Sequence, residues 1–364
     1  MLDKTDIKVS RRKLFRLQTD SKKYAEAVNL VYVMDMMPGI QRKKKGKGFT
    51  YLYKNEKVTD PEVLRRIKSL VIPPAWENVW ISWLPNGHLQ VTGTDVRKRK
   101  QYKYHPLWDQ MRNETKFHRM IEFGKILPAL RERVEKDLRK MDMTQDKVIA
   151  TIVSLMEQTF IRIGNANYEK EYGSYGLTTL KNRHIKINRD SIHFSFIGKK
   201  GVAHSVTLKS KRMARIVKQC MEIPGQELFQ YVDINGERHA IDSGQVNSYI
   251  KDITGNDMTA KDFRTWAGSL IALQAFKEAG EVESVASAKK KVVEVLDYVS
   301  KRLGNTRSVC KKYYVHPVLI SLYESNHLNK YFNGNGNGIE GLSEEENVLM
   351  KILQKELNKS IEQP

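Results

Sequence analysis

The chain has 364 residues, with 63 Lys and Arg against 42 Asp and Glu, a formal net charge of +21 and an apolar content of 40%. That length exceeds one average domain and supplies a real core, while the positive excess asks for a polyanionic partner. Nucleic acid is favoured over a membrane surface, because cations alternate with aromatics and no long apolar face accompanies them. No run of about 18 apolar residues occurs and Met1 leads into a polar, charged stretch, so neither a membrane span nor a secretory signal is expected, and the protein is expected in the cytoplasm. Cys220 and Cys310 form no CxxC pair and the nine histidines are scattered, which argues against a disulfide framework and a zinc site.

The first forty residues carry basic patches such as Ser10-Arg11-Arg12-Lys13 without a clear period. Gln41 to Gly48 combines Arg, Lys and Gly and reads as a basic loop, its Arg42 to Lys47 run either touching a nucleic-acid backbone or merely mobile. Aromatic and β-branched segments follow at Phe49 to Tyr53, Val79 to Trp83 and Leu89 to Thr92, the last two joined by a turn at Leu84-Pro85-Asn86-Gly87. Residues 1–112 are therefore expected to form a small sheet-containing domain. Within it, Arg97-Lys98-Arg99-Lys100-Gln101-Tyr102-Lys103-Tyr104 alternates cations with aromatics, a pattern that suits a solvated basic strand or a nucleic-acid contact.

From Phe117 the pattern turns helical, with Ile121, Phe123, Leu127, Leu130, Val134 and Leu138 on one course and Val148 to Ile161 on another. Ile185 to Ile187, Ile192 to Ile197 and Val202 to Leu208 then read as a three-stranded antiparallel sheet, its second turn carrying Gly198-Lys199-Lys200-Gly201. Helices resume over Lys211 to Cys220, Gly244 to Ile253, Asp262 to Ala279 and Ser287 to Leu303. Residues 113–330 are expected to form this mainly helical domain, giving an α+β chain overall. In 331–364, Asn333 to Gly338 is a linker by composition, and Ser343 with Glu346 forms a capping box for a last amphipathic helix. Lys289-Lys290-Lys291 near a helix start suits either a phosphate or a solvated face. His184 and His204 read as structural or nucleic-acid-adjacent rather than as ligands.

Five residues in the second half, Arg162, Lys199, Arg264, Asn305 and Tyr314, have the chemical types needed to break and rejoin a phosphodiester. A tyrosine hydroxyl titrates near ~10, so its attack requires local positive charge or a proton acceptor. Forked guanidinium donors match the charge that spreads over the nonbridging oxygens. A positioned lysine can protonate the alkoxide leaving group. No metal, ATP or other cofactor is expected, and no ATPase-type phosphate loop occurs.

The stretches that carry these residues are Leu155 to Gly164, Gly176 to His184, Phe196 to Lys199, Lys261 to Trp266 and Leu303 to Thr306 through Lys311-Lys312-Tyr313-Tyr314. With Ile72-Pro73-Pro74-Ala75-Trp76 in the first domain, they resemble the type IB DNA topoisomerases of the bacterial and poxviral group, the similarity to the bacterial branch extending over roughly Tyr32 to Pro317. The resemblance implies the tyrosine recombinase and topoisomerase IB catalytic fold, duplex DNA as partner and a monomer. It implies Tyr314 as nucleophile, forming a 3′-phosphotyrosine, Arg162 and Arg264 as the clamp on the scissile phosphate, and Lys199 as acid toward the 5′ oxygen. Asn305 stands where poxviral and eukaryotic relatives have histidine, and its amide remains a donor to a nonbridging oxygen. Tyr313 is adjacent to Tyr314, but the spacing from Asn305 selects Tyr314. By the same resemblance Arg97, Arg99, Gln101, Tyr102, Tyr104, Tyr168 and Lys311 would contact DNA, Tyr168 being otherwise a core tyrosine. The implied activity is relaxation of supercoiled duplex by transient single-strand cleavage. A tyrosine recombinase is the nearest alternative, disfavoured because Lys261 stands where recombinases place histidine, three residues before Arg264; a non-catalytic architectural DNA-binding protein is the alternative of another class.

Overall fold

A computed structural model describes residues 20–46, 48–96, 98–255, 258–332 and 338–362. The chain divides into two compact units, Met1–His118 and Arg119–Pro364. The basic patch at Ser10 to Lys13, Arg97 and most of the Asn/Gly linker lie outside the described residues. Among the described residues no helix is long and apolar enough to cross a membrane.

In the first unit, α1 (Ser21–Ala27) is followed by β1 (Ile40–Lys45), β2 (Gly48–Tyr53), β3 (Glu56–Lys57), α2 (Pro61–Ser69), β4 (Glu77–Ile81), β5 (Leu89–Thr94) and β6 (Lys100–Tyr104). The six strands form one antiparallel sheet in the order β3-β2-β1-β4-β5-β6. Ile40, Val79, Ile81 and Val91 from its inner face pack on Ile67 of α2, a helix started by the Asp60 cap and Pro61.

The expected mobile loop at Gln41 to Gly48 is corrected here: Ile40 to Lys45 is a central strand, hydrogen-bonded to β2 on one side and β4 on the other. Ile40 and Arg42 point inward while Lys43, Lys44 and Lys45 face solvent. Arg42 is buried, with Phe49 4.2 Å from its guanidinium carbon, and donates to the carbonyls of Ile72, Pro73 and Trp76. Its charge therefore holds the Ile72 to Trp76 segment in place.

The chain passes into the second unit within α3 (Pro106–Leu138). There follow α4 (Gln145–Thr159), α5 (Ala166–Tyr172), the antiparallel sheet β7 (Ile185–Ile187), β8 (Ser191–Ile197) and β9 (Ala203–Lys209), and α6 (Lys211–Glu222). A small hairpin of β10 (Gln230–Val232) and β11 (Arg238–Ala240) precedes α7 (Ser243–Thr254), α8 (Ala260–Ala279), α9 (Val285–Leu303), α10 (Arg307–Tyr313), α11 (Pro317–Glu324) and α12 (Glu344–Glu362).

Helix α8 is the axis of this unit. Ala260, Phe263, Trp266, Ala267, Ile271, Ala272, Leu273 and Phe276 are all buried, so its apolar character runs round the helix rather than along one face. Helices α4, α7, α9, α11 and α12 pack against it. The expected capping box of the last helix is present: Ser343 N donates to Glu346 Oε2 and Glu346 N to Ser343 Oγ. Glu346 is buried, and its carboxylate also accepts from Arg131 at 2.7 Å and from Trp266 Nε1 at 3.1 Å. Burial alone would raise its pKa, but these donors outweigh burial and hold the carboxyl below its usual range.

Candidate active site

Four of the five expected residues meet in the second unit. Helix α4 ends at Phe160, whose left-handed backbone (φ 58°) turns the chain sharply and leads directly into Ile161 and Arg162. Arg162 is then fixed from both ends. Its carbonyl accepts from Leu177 N at 2.8 Å, and its guanidinium donates to Gly304 O at 3.1 Å and to Asn305 Oδ1. Arg264 projects from the first turns of α8 and is buried; it donates to Phe160 O and, at 2.7 Å, to Leu303 O. Gly304 closes α9 in the left-handed conformation (φ 58°) that glycine adopts without a Cβ penalty, placing Asn305 beside Arg162.

Tyr314 follows α10 and lies with its ring 5.3 Å from the Arg264 guanidinium carbon. Its backbone is docked on α8: Ser269 Oγ donates to Tyr314 O at 3.0 Å and accepts from His316 N at 3.0 Å. A Cβ added at Gly268 would lie 2.8 Å from both Cβ and O of Tyr314, so this close approach needs glycine. Tyr313, by contrast, stacks its ring on Lys312, 5.0 Å away.

Electrostatically the cluster is an anion site. Among the described residues neither Arg162 nor Arg264 has a carboxylate within ion-pair distance; their partners are main-chain carbonyls and an amide oxygen. Burial first, and Arg264 second, push the Arg162 guanidinium down to about 10, still charged at neutral pH. Arg264 Nε and Asn305 Nδ2 are buried without a hydrogen-bond acceptor among the described residues, the Asn305 amide meeting only the Cys310 thiol. Buried donors left unsatisfied are costly and point to a ligand that accepts them. Since Asn305 Oδ1 is taken by Arg162, the free end of its amide is the donor end, as an oxyanion requires.

Lys199 stands at the exposed turn between β8 and β9, with its ammonium 5.8 Å from the centre of the Tyr168 ring. Tyr168, on α5, is 46% exposed, so it is a surface and not a core tyrosine. Lys311 is an exposed side chain of α10. In the first unit, Arg99 donates twice to Asp95 Oδ2 (2.9 and 2.6 Å) and Gln101 donates once (2.9 Å), so both share one carboxylate. Tyr102 is about half exposed and its ring lies parallel to that of Tyr104, 6.2 Å away.

Several residues that build the site were not singled out as doing so from sequence. Gly268 and Ser269 follow Arg264 by one helical turn, a spacing that puts Gly268 on the same face. His204 lies opposite Phe196 in the β8–β9 register and stacks on it at 4.9 Å. Burial, then the charges of Arg162 and Arg264, press its pKa down to about 4, so the imidazole is neutral.

Residues 99–333 match the family model described as eukaryotic DNA topoisomerase I, catalytic core, and residues 48–95 match that of the bacterial DNA topoisomerase IB N-terminal domain. Over 300 residues the chain is 32% identical to DNA topoisomerase 1B of Acanthamoeba polyphaga mimivirus, covering 80% of this chain and 89% of that protein. It is 26% identical over 266 residues to DNA topoisomerase I of Monkeypox virus, and 25% identical over 266 residues to DNA topoisomerase 1B of Vaccinia virus (strain Copenhagen), each alignment covering 72% of this chain and 81% of the relative.

Proposed function

We propose that this chain, which belongs to the type IB DNA topoisomerases, relaxes supercoiled duplex DNA through a 3′-phosphotyrosine on Tyr314. The observation that carries this reading is the pair of guanidiniums beside Tyr314, held without a carboxylate among the described residues, together with the donors on Arg264 and Asn305 that those residues leave unsatisfied. A phosphodiester seated there would accept from both arginines and from Asn305 Nδ2.

Tyr314 Oη attacks phosphorus, its proton passing to water, and the P–O5′ bond breaks as Lys199 protonates the departing oxygen. Charge growing on the nonbridging oxygens meets donors already in place, so little reorganisation accompanies the step. The free 5′ end rotates about the intact strand. Its hydroxyl then returns its proton to Lys199 and attacks the phosphotyrosine, the P–O bond to Tyr314 breaks, and the departing phenolate takes a proton back from water, restoring the strand and the phenol. Both chemical steps use protein side chains, and neither requires a nucleotide cofactor or a metal.

In the free protein Asp95 holds Arg99 and Gln101 in one orientation, which supports reading them with Tyr102 and Tyr104 as a preset duplex contact. Tyr168 and Lys311 would add contacts from the second unit. The protein would act as a monomer in the cytoplasm. The decisive experiment is relaxation of a supercoiled plasmid in EDTA without ATP, followed by denaturation to trap protein on the 3′ end. Tyr314→Phe should bind duplex and yield neither relaxation nor adduct; full relaxation by that variant would remove Tyr314 from the mechanism.

A further inference from the structure

The hairpin that carries Lys199 and the turn that carries Asn305 meet at one side chain. His204 leaves β9 opposite Phe196 and lies flat on its ring, the two planes 5° apart. A Cβ added at Gly198, the residue before Lys199, would lie 2.6 Å from His204 Cδ2. A Cβ added at Gly304, the residue before Asn305, would lie 2.4 Å from His204 Cε1. The imidazole is thus seated between the two glycines that immediately precede two of the proposed reacting side chains.

We propose that His204 is a positioning residue: its ring, stacked on Phe196 and wedged between Gly198 and Gly304, sets where the Lys199 turn stands relative to the Asn305 turn and so aims Lys199 at the leaving oxygen. This rests on the reading of Lys199 as the general acid. The turn itself is short and strained, with Lys200 at φ 65° and Gly201 at φ 76°, and Lys199 is exposed at its tip. A flexible side chain there needs an external reference to arrive at one geometry, and His204 supplies it from the base of the turn. A neutral ring suits the position, because a third cation buried there would be repelled by Arg162 and Arg264.

The test exploits the leaving group. A suicide duplex in which sulfur replaces the bridging 5′ oxygen departs as a thiolate, whose conjugate acid titrates near ~8.5, so it needs no acid catalyst. His204→Ala should slow single-turnover cleavage of the ordinary duplex at saturating DNA by about 10²-fold, the loss expected from a misplacement near 1 Å, with DNA affinity unchanged. On the sulfur duplex the same variant should cleave at the wild-type rate. Gly198→Ala is a second route to the same displacement, since φ −95° admits alanine, and it should show the same selective defect.

If both variants slow the two duplexes by equal factors, or neither duplex at all, His204 does not act through Lys199 and the inference is overturned. Lys199→Ala, run alongside, separates the failures. If it is rescued by sulfur while the His204 and Gly198 variants are not, only the positioning role falls. If Lys199→Ala gains nothing from sulfur, the acid assignment on which the inference rests falls with it.

Discussion

Gly268→Ala places one methyl group against the backbone that carries Tyr314. The new carbon would lie 2.8 Å from Tyr314 Cβ and from Tyr314 O. Ordinary contact begins near 3.4 Å, so Tyr314 must retreat from α8 by roughly 0.6 Å or α8 must bend, both being forms of overpacking. Ser269 opposes the retreat, because its hydroxyl bonds Tyr314 O and His316 N from the next position of the same helix. Overpacking costs about 1–3 kcal/mol, whereas alanine gains about 1 kcal/mol over glycine inside a helix. The net loss of stability should therefore be about 0–2 kcal/mol. The rate should change much more, because a displacement approaching 1 Å at a nucleophile costs up to about 10²-fold. Single-turnover adduct formation at saturating duplex, paired with a melting curve, reads the two quantities separately. Cleavage by Gly268→Ala at the wild-type rate would refute the placement of Tyr314 as a nucleophile held by this contact.

Arg264→Lys keeps the charge but cannot reproduce the donations to Phe160 O and Leu303 O, so cleavage should fall by about 10²-fold or more while duplex binding is retained; equal cleavage rates would remove Arg264 from the clamp. Lys311→Ala should lower the steepness of log K against log salt by about 0.9 if the ammonium neutralises one phosphate, and an unchanged slope would show that it does not. Glu346→Gln should destabilise the fold by about 1–2 kcal/mol at neutral pH, since the buried carboxylate's charge-assisted bonds to Arg131 are weakened while Arg131, a third exposed, keeps Glu157. Because the folded carboxyl is held below its usual value, its contribution is present above the unfolded pKa near ~4.3 and is lost as pH falls through the lower folded value. Chemical denaturation from pH 7 to pH 3 should show the wild type losing this increment and the variant not, and parallel curves would refute it.

Strand β8 and helix α9 were legible because each buries one face and so leaves its period in the sequence, Ile192, Phe194 and Phe196 in the first and Val292, Val295, Leu296 and Val299 in the second; β2 and β5 were legible by β-branched and aromatic composition, and α8 by the length of its apolar run. β1 was not. Its run of Arg42 to Lys45 hides the alternation, since the inward-facing member is itself a cation that spends its donors on carbonyls of the Ile72 to Trp76 segment. Helices α5 and α10 have seven residues each and strands β10 and β11 three each, too few to repeat a pattern. At the site, the reacting residue types could be named from their motifs. The residues that bring them together could not, because Gly268 against Tyr314 and His204 against Gly304 are close approaches between segments remote in sequence. Only the final fold reveals that a methyl group would not fit there.

The acceptors that anchor the two site arginines, apart from Asn305 Oδ1, belong to Phe160, Leu303 and Gly304 and are peptide carbonyls. Every amino acid, proline included, carries that group, so no single substitution can delete it. Mutation can reach these anchors only by altering the path of the backbone. The burden falls on conformation instead: positions 160 and 304 both occupy left-handed geometry, which disfavours β-branched residues there and tolerates glycine or asparagine. Lineages of this enzyme can thus exchange side chains around the clamp extensively and keep it, provided that those two bends survive.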